Sequence, residues 1–191
     1  AREKTSRVLK LIFYFLKKNF DMEEKNLKLN KLKLHRRFDN KETVLIKTLL
    51  QSFLPLNQRT KILDLIFHEV FKSSQQNVSK KIYMNKKNLI EMSDNSMIFG
   101  SHGYNHYWWE TLKPNDQEYE LKKSINFFKK NKVFNKNFSV AYPYGSYNKN
   151  CTQLMKKYDI SFALTSRPGF INKNNLSSNF TLSRFDTNDF N

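Results

Sequence analysis

The chain has 191 residues, of which 39% are apolar, and a formal net charge of +17 at pH 7. This length can bury one core, and the apolar fraction, with 17 phenylalanines, argues against a disordered chain. The single cysteine, Cys151, excludes an intramolecular disulfide and a zinc site built from several cysteines, and we expect a buried or half-exposed thiol there.

The basic charge favours an acidic partner. Lysines are spread along the whole chain, however, and no arginine-rich tract occurs. Specific nucleic-acid binding is therefore disfavoured, and attraction to acidic glycans or lipids is the better alternative. The longest apolar run, residues 11–16, is too short to span a membrane, and no signal peptide with a cleavage site is evident. The compartment, cytoplasmic or periplasmic and cell-surface, stays open.

Residues 1–80 form a helical segment in this prediction. They contain no glycine, and their apolar residues recur at helical spacing. Three helices are expected, the second beginning at Asp39-Asn40 and the third separated from it by Pro55. The stripe in residues 5–18 could instead lie on a membrane surface, although a stripe that faces a core is favoured.

From residue 81 onward, helices and strands alternate. Asn85 can cap a helix, and Pro114 suits the first turn of another. Short apolar runs predict strands at 96–100, 138–142 and 160–164, and a further helix is expected at 152–158. Alternation of this kind predicts an α/β fold with parallel strands and crossover helices. Ligands of such folds bind beyond the carboxyl ends of the strands.

Two unusual stretches, SHGYNH at 101–106 and YPYGSYN at 142–148, each follow a predicted strand. They should therefore lie at the same edge of the sheet. His102 and His106 are four positions apart and would face the same way in a helical turn, where both could bind Zn²⁺. The alternative is a pair of hydrogen-bonded histidines in an aromatic loop. His35 and His68 are interpreted as a solvated surface residue and a helix-face residue.

The stretches SHGYNHYWW, YPYGSYN and SRFDTNDF together resemble the polysaccharide deacetylases of the NodB-homology class, carbohydrate esterase family four. The resemblance is firm from about residue 83 to residue 191. Residues 1–80 also resemble, less specifically, the long insertion of some bacterial surface-glycan deacetylases. The resemblance implies an incomplete (β/α) barrel at 81–191 and a divalent metal, usually zinc. It also implies hydrolysis of N-acetyl groups on a polysaccharide or amino sugar.

The resemblance also implies residue roles. His102 and His106 would be metal ligands, and the backbone N–H of Tyr144 would stabilise the oxyanion that develops during hydrolysis. The residues that would contact the sugar are Tyr107, Trp108, Pro143 and Tyr147. Trp109 could stack on a sugar as well, and core or rim packing is the alternative for two of the three residues Tyr107, Trp108 and Trp109.

Several features depart from the family pattern. The chain contains no Asp-Asp pair, which in the family supplies the catalytic base and a carboxylate ligand, and Phe20-Asp21 lies in a helical context. Ala141 stands where the family has arginine, and no leucine–histidine motif follows. Asp186 and Asp189 could approach the site, although a solvated turn, or a contact with Arg184, is the favoured alternative.

Two explanations fit these departures. In the first, the Asp-Asp motif lies upstream of this chain, which would then lack its catalytic base and be inactive or nearly so by itself. In the second, the protein binds glycan on a degenerate deacetylase scaffold without hydrolysing it. The first is favoured. The sequence does not specify the sugar, the linkage or the oligomeric state.

Overall fold

The computed structural model of the protein describes residues 2–24, 27, 39–172 and 178–190. The chain forms two compact units, which meet in sequence between Tyr83 and Met84. The domain division after residue 80 stays a prediction, because compactness alone does not show that either unit folds by itself. His35 lies outside the described residues. No described helix is both long and apolar enough to cross a membrane.

The first unit is helical. Its α-helices are α1 (Arg2–Phe20), α2 (Lys41–Thr48), α3 (Leu56–Phe71) and α4 (Gln75–Ile82), and a π-helical turn at Leu49–Phe53 extends α2. Asn40 caps α2, since its side chain accepts a hydrogen bond from the Thr43 N–H at 2.8 Å. Ile12 and Leu16 are fully buried in a core that includes Ile62, so the α1 stripe faces protein rather than a membrane.

The prediction of three helices was incomplete, because α4 is a fourth helix in the same segment. No residue of α4 is buried. It has only two apolar residues, Val78 and Ile82, too few to predict a helix by spacing, and the Ser74 cap at its start is the main local signal.

Among its described residues, the second unit contains two strands, β1 (Ser139–Ala141) and β2 (Phe162–Leu164), and three α-helices. The helices are α5 (Lys86–Asp94), α6 (Pro114–Lys130) and α7 (Lys149–Lys157). Asn85 and Asn88 form a capping box at the start of α5, and Pro114 occupies the first position of α6, as predicted. Three-residue and four-residue 3₁₀ turns lie at Trp109–Thr111, Pro143–Gly145 and Thr187–Phe190.

The sheet of this unit is parallel and open. β1 pairs with β2, with Val140 opposite Ala163, and α7 is the crossover between them. Single parallel bridges extend the sheet on either side, from Ser101 to Val140 and from Leu182 to Leu164. The α/β prediction is confirmed, and within the described residues the sheet does not close into a barrel. The core under it contains Trp109, Leu121, Phe138, Tyr142 and Met155.

The strand predicted at 96–100 was wrong in extent and burial. Only Ser101 pairs with β1; its N–H donates to the Ser139 carbonyl oxygen, and its own carbonyl accepts from the Ala141 N–H, both at 2.8 Å. Ile98 is 73% exposed. An apolar run predicts a buried strand only if a neighbour covers it, and among the described residues no strand lies on its outer side.

Candidate active site

The loops after Ser101 and after β1 lie side by side, because both follow parallel segments of the sheet. The first loop carries His102 and His106, and the second carries Tyr144. His106 contacts the Tyr144 ring edge-on, with ring centroids 4.6 Å apart. The structure thus brings three of the predicted site residues together at the carboxyl ends of the strands.

The two imidazoles face each other through their Nε2 atoms, which are 3.0 Å apart. Nδ1 of His102 lies 2.7 Å from the carbonyl oxygen of Ala141. Because a carbonyl oxygen only accepts, Nδ1 of His102 donates its proton there, which leaves Nε2 as the nitrogen directed toward His106. Nδ1 of His106 lies 3.1 Å from the Tyr144 hydroxyl, which can either donate or accept.

The charge state of His106 follows from its surroundings. Burial lowers the pKa of His106 below its ordinary value, and repulsion by the neighbouring His102 lowers it further. His106 is therefore neutral at pH 7, which is the form that binds a metal ion.

The histidine pair does not sit on a helical turn, which was the geometry considered for a spacing of four. Residues 102–106 form a loop in which Gly103 and His106 have φ values of +78° and +59°. A left-handed conformation is unfavourable for a residue with a Cβ atom, so the tertiary structure must hold His106 in place. Tyr144 is also left-handed, with φ +58° and ψ +9°.

Aromatic side chains border the pair. Trp108 stacks on Tyr144, with centroids 5.0 Å apart and planes 15° apart. Trp108 and Tyr107 are half-buried, so each exposes part of its ring. Trp109 is fully buried and packs against Tyr142, so its role is core packing.

Pro143 and Tyr147, the other residues expected to contact sugar, pack inward to different degrees. Pro143 is buried beside Gly103. Tyr147 is half-buried and stacks on Tyr142, with centroids 5.0 Å apart. A direct contact of either with substrate stays a prediction.

Asp186 and Asp189 do not complete the site. Asp186 accepts hydrogen bonds from the backbone and side chain of Asn188, and its N–H donates to Asp189 at 2.8 Å. The hydrogen bond from the Asn188 N–H lowers the pKa of Asp186. Both belong to a surface turn, which was the favoured alternative. Across the described residues, no three histidine, cysteine, aspartate or glutamate side chains cluster as a metal site would require.

The remaining candidates have structural roles. Cys151 is buried, and burial raises the pKa of its thiol, so it is not an activated nucleophile. His68 is exposed in the last turn of α3, as the helix-face interpretation predicted.

The residue that the sequence prediction missed is Glu120 of α6. Its carboxylate is buried and accepts three hydrogen bonds from the histidine loop. The available signal was its place beside Leu121 on the apolar face of α6, where a carboxylate is unexpected unless it is paired.

The histidine pair fits part of a zinc site. Zinc–nitrogen bonds are about 2.0–2.1 Å long and zinc sites are tetrahedral, so two nitrogen ligands lie about 3.3 Å apart. The Nε2 separation of 3.0 Å is close to this value and slightly shorter. Each ring also has a partner for its other nitrogen, as metal-binding histidines require. Among the described residues, no third histidine, cysteine, aspartate or glutamate side chain clusters with the pair, so a third zinc ligand would have to come from elsewhere.

The fold and the imidazole pair together define an α/β protein with a candidate metal site at its strand ends. The sequence model for polysaccharide deacetylases matches residues 55–163, more than half of the chain. The chain therefore belongs to the polysaccharide deacetylase family, as its motifs indicated. The match covers both site loops but ends before residues 183–190. The family is generally metal-dependent and acts on acetylated glycans.

Two solved structures are similar to this chain. The Streptococcus pyogenes deacetylase PplD, in complex with acetate, is 23% identical, with a TM-score of 0.49 over 67% of this chain and 57% of that one. BA0330 from Bacillus anthracis, described as a polysaccharide deacetylase, is 23% identical, with a TM-score of 0.46 over 66% of this chain and 42% of that one. This chain thus spans less than two thirds of either protein. No curated protein sequence matches it.

Proposed function

We propose that this protein is a metal-dependent hydrolase that removes N-acetyl groups from a polysaccharide or amino sugar, in the synthesis of bacterial surface glycan. The observation that carries the proposal is the pair of Nε2 atoms, 3.0 Å apart, on His102 and His106. The family match supports the reaction class, since deacetylation is what the family performs.

His102 and His106 would hold the divalent ion, with Zn²⁺ as the first choice because imidazole nitrogen suits it. When bound, such an ion polarises the acetyl carbonyl and lowers the pKa of water. The Ala141 carbonyl fixes the tautomer of His102, and the Tyr144 hydroxyl holds Nδ1 of His106.

Tyr144 would act twice in this proposal. Its backbone N–H would stabilise the oxyanion of the acetyl group, as the resemblance implies. Its ring stacks on Trp108 beside the histidines, and the exposed parts of this stack and of Tyr107 could bind the apolar face of a sugar ring.

Among the described residues, no further histidine, cysteine, aspartate or glutamate side chain clusters with the pair to serve as the third metal ligand or the catalytic base. We therefore propose that an Asp-Asp motif outside this chain supplies both. The chain by itself would then bind metal but release little or no acetate, because proton transfer by a positioned base is missing.

The same observation favours a second candidate. A scaffold that has lost its third ligand and base could bind glycan without hydrolysing it. In that case the Trp108–Tyr144 stack would remain a sugar-binding surface, and the histidine pair would have no catalytic role.

The test is a zinc titration of the purified chain, with His102→Ala and His106→Ala. The matched control is His68→Ala, because His68 is exposed on α3 of the other unit. We expect one zinc ion per chain, lost in either site variant and retained in the control. Failure of the chain to bind zinc, or binding that survives both substitutions, would contradict the proposed site.

A second measurement separates the two candidate functions. Acetate release from an N-acetylated chito-oligosaccharide is compared between this chain and a longer form that includes an upstream Asp-Asp motif. The deacetylase proposal expects zinc-dependent release only from the longer form. Binding of the oligosaccharide by both forms, without release from either, would favour the glycan-binding scaffold.

A further inference from the structure

Helix α6 presents three buried polar side chains to the segment 101–112. Gln117, Glu120 and Ser124 are each no more than 4% exposed. The Ser124 hydroxyl lies 2.5 Å from the Ser101 hydroxyl, and Gln117 Nε2 donates to the Trp109 carbonyl oxygen at 2.7 Å. Burying polar groups is unfavourable unless they are hydrogen-bonded, so this face of α6 is shaped to hold that segment.

Glu120 holds the part of the segment between the two histidines. Its Oε2 accepts from the consecutive N–H groups of Tyr104 and Asn105, at 3.0 and 2.7 Å. Its Oε1 accepts from the Asn105 side-chain amide at 2.6 Å. Among the described residues, no lysine or arginine forms an ion pair with Glu120. The loop therefore satisfies the buried carboxylate through hydrogen bonds.

These contacts bear directly on the geometry of the pair. His106 follows Asn105 immediately and has the unfavourable φ of +59°. A carboxylate that fixes the two preceding N–H groups limits how the backbone can relax at His106. The three hydrogen bonds that the loop donates to Glu120 can offset the cost of this conformation.

We propose that Glu120 is a positioning residue for the histidine pair, which keeps Nε2 of His106 directed at Nε2 of His102. The effect of Glu120 on zinc binding rests on the proposed metal site, but its hydrogen bonds to the histidine loop do not. The competing role is purely structural: Glu120 would stabilise the unit without affecting the imidazoles.

The test uses Glu120→Gln and Glu120→Ala, with Gln117→Ala as the matched control. Gln117 is a buried polar residue of the same helix, but its bonds go to Trp109, Leu112 and Asn150 rather than to the histidine loop. Zinc affinity is measured at a temperature where all variants are folded. We expect the Kd to rise about 10–100-fold in Glu120→Ala, and less in Glu120→Gln, as for other partners that support metal ligands. In Gln117→Ala the Kd should stay within about twofold of the original, even though its melting temperature falls.

A metal-free readout keeps this inference separate from the proposed function. Long-range ¹H–¹⁵N spectra of the imidazoles report tautomer and ring environment without zinc. We expect one fixed Nδ1–H tautomer for His102 in the unaltered chain and altered imidazole signals for His106 in Glu120→Gln, but not in Gln117→Ala. If the unaltered chain binds no zinc, the proposed function fails while these spectra still decide the role of Glu120. If Glu120→Ala does not fold, Glu120→Gln decides it. Imidazole spectra and zinc affinity unchanged in the Glu120 variants, despite lower melting temperatures, would overturn the inference.

Discussion

Gly103→Ala should destabilise the second unit through the histidine loop. Gly103 has φ +78°, and an added Cβ would lie 3.0 Å from Pro143 Cγ and 3.3 Å from Trp109 Nε1. The left-handed conformation costs an L-residue about 1–2 kcal/mol, and crowding in a packed region costs about 1–3 kcal/mol. Alanine also lowers the conformational entropy of the unfolded chain, which offsets about 0.4–1 kcal/mol of this cost. We therefore expect a loss of about 1–4.6 kcal/mol in the free energy of unfolding.

Urea unfolding followed by tryptophan fluorescence measures this loss. The chain has two tryptophans, Trp108 and Trp109, and both lie in the second unit close to Gly103, so the signal reports on the unit that is altered. A double-mutant cycle with Pro143→Ala separates the two causes, since truncating Pro143 removes the closest crowded atom but not the backbone strain. A loss within about 0.5 kcal/mol of zero in Gly103→Ala would refute the geometry described for this loop.

Two further predictions concern the core of the same unit. Trp109→Ala should lower the free energy of unfolding by about 3–5 kcal/mol, because the ring is fully buried. Urea unfolding followed by circular dichroism measures this loss, and a value below about 1 kcal/mol would contradict the packing described for Trp109. The raised pKa of the Cys151 thiol means that the unfolded chain loses its thiol proton first as pH rises. The stability from burying the neutral thiol is therefore complete below its ordinary pKa of about 9 and is lost as pH rises toward the folded value. The melting temperature should fall more steeply above pH 9 in the unaltered chain than in Cys151→Ala, and parallel plots of melting temperature against pH would contradict this.

Local signals in the sequence predicted much of the fold. The start of α6 could be placed because Pro114 fits a first helical turn. The segment 96–100 shows the limit of such signals. Its apolar residues suit a strand, but whether they pair and become buried depends on which segments lie next to them in space.

For the site as well, local sequence signals predicted one part, and the other part depends on tertiary contacts. The histidine spacing and the position of both loops after strands predicted that His102 and His106 would meet near Tyr144. The sequence could not show that the meeting depends on a loop with left-handed residues, nor that Glu120 holds its backbone. Glu120 is 14 residues from His106 and 18 from His102, and two of its three hydrogen-bond donors are backbone N–H groups, which no side-chain motif encodes.

The hydrogen bond from His102 to residue 141 has an evolutionary consequence. The acceptor is the main-chain oxygen of Ala141, 2.7 Å away, and every amino acid supplies that atom. Selection on the imidazole tautomer therefore places no demand on the side chain at this position. Alanine, which stands here where the resemblance implies arginine, therefore leaves the orientation of His102 unaffected.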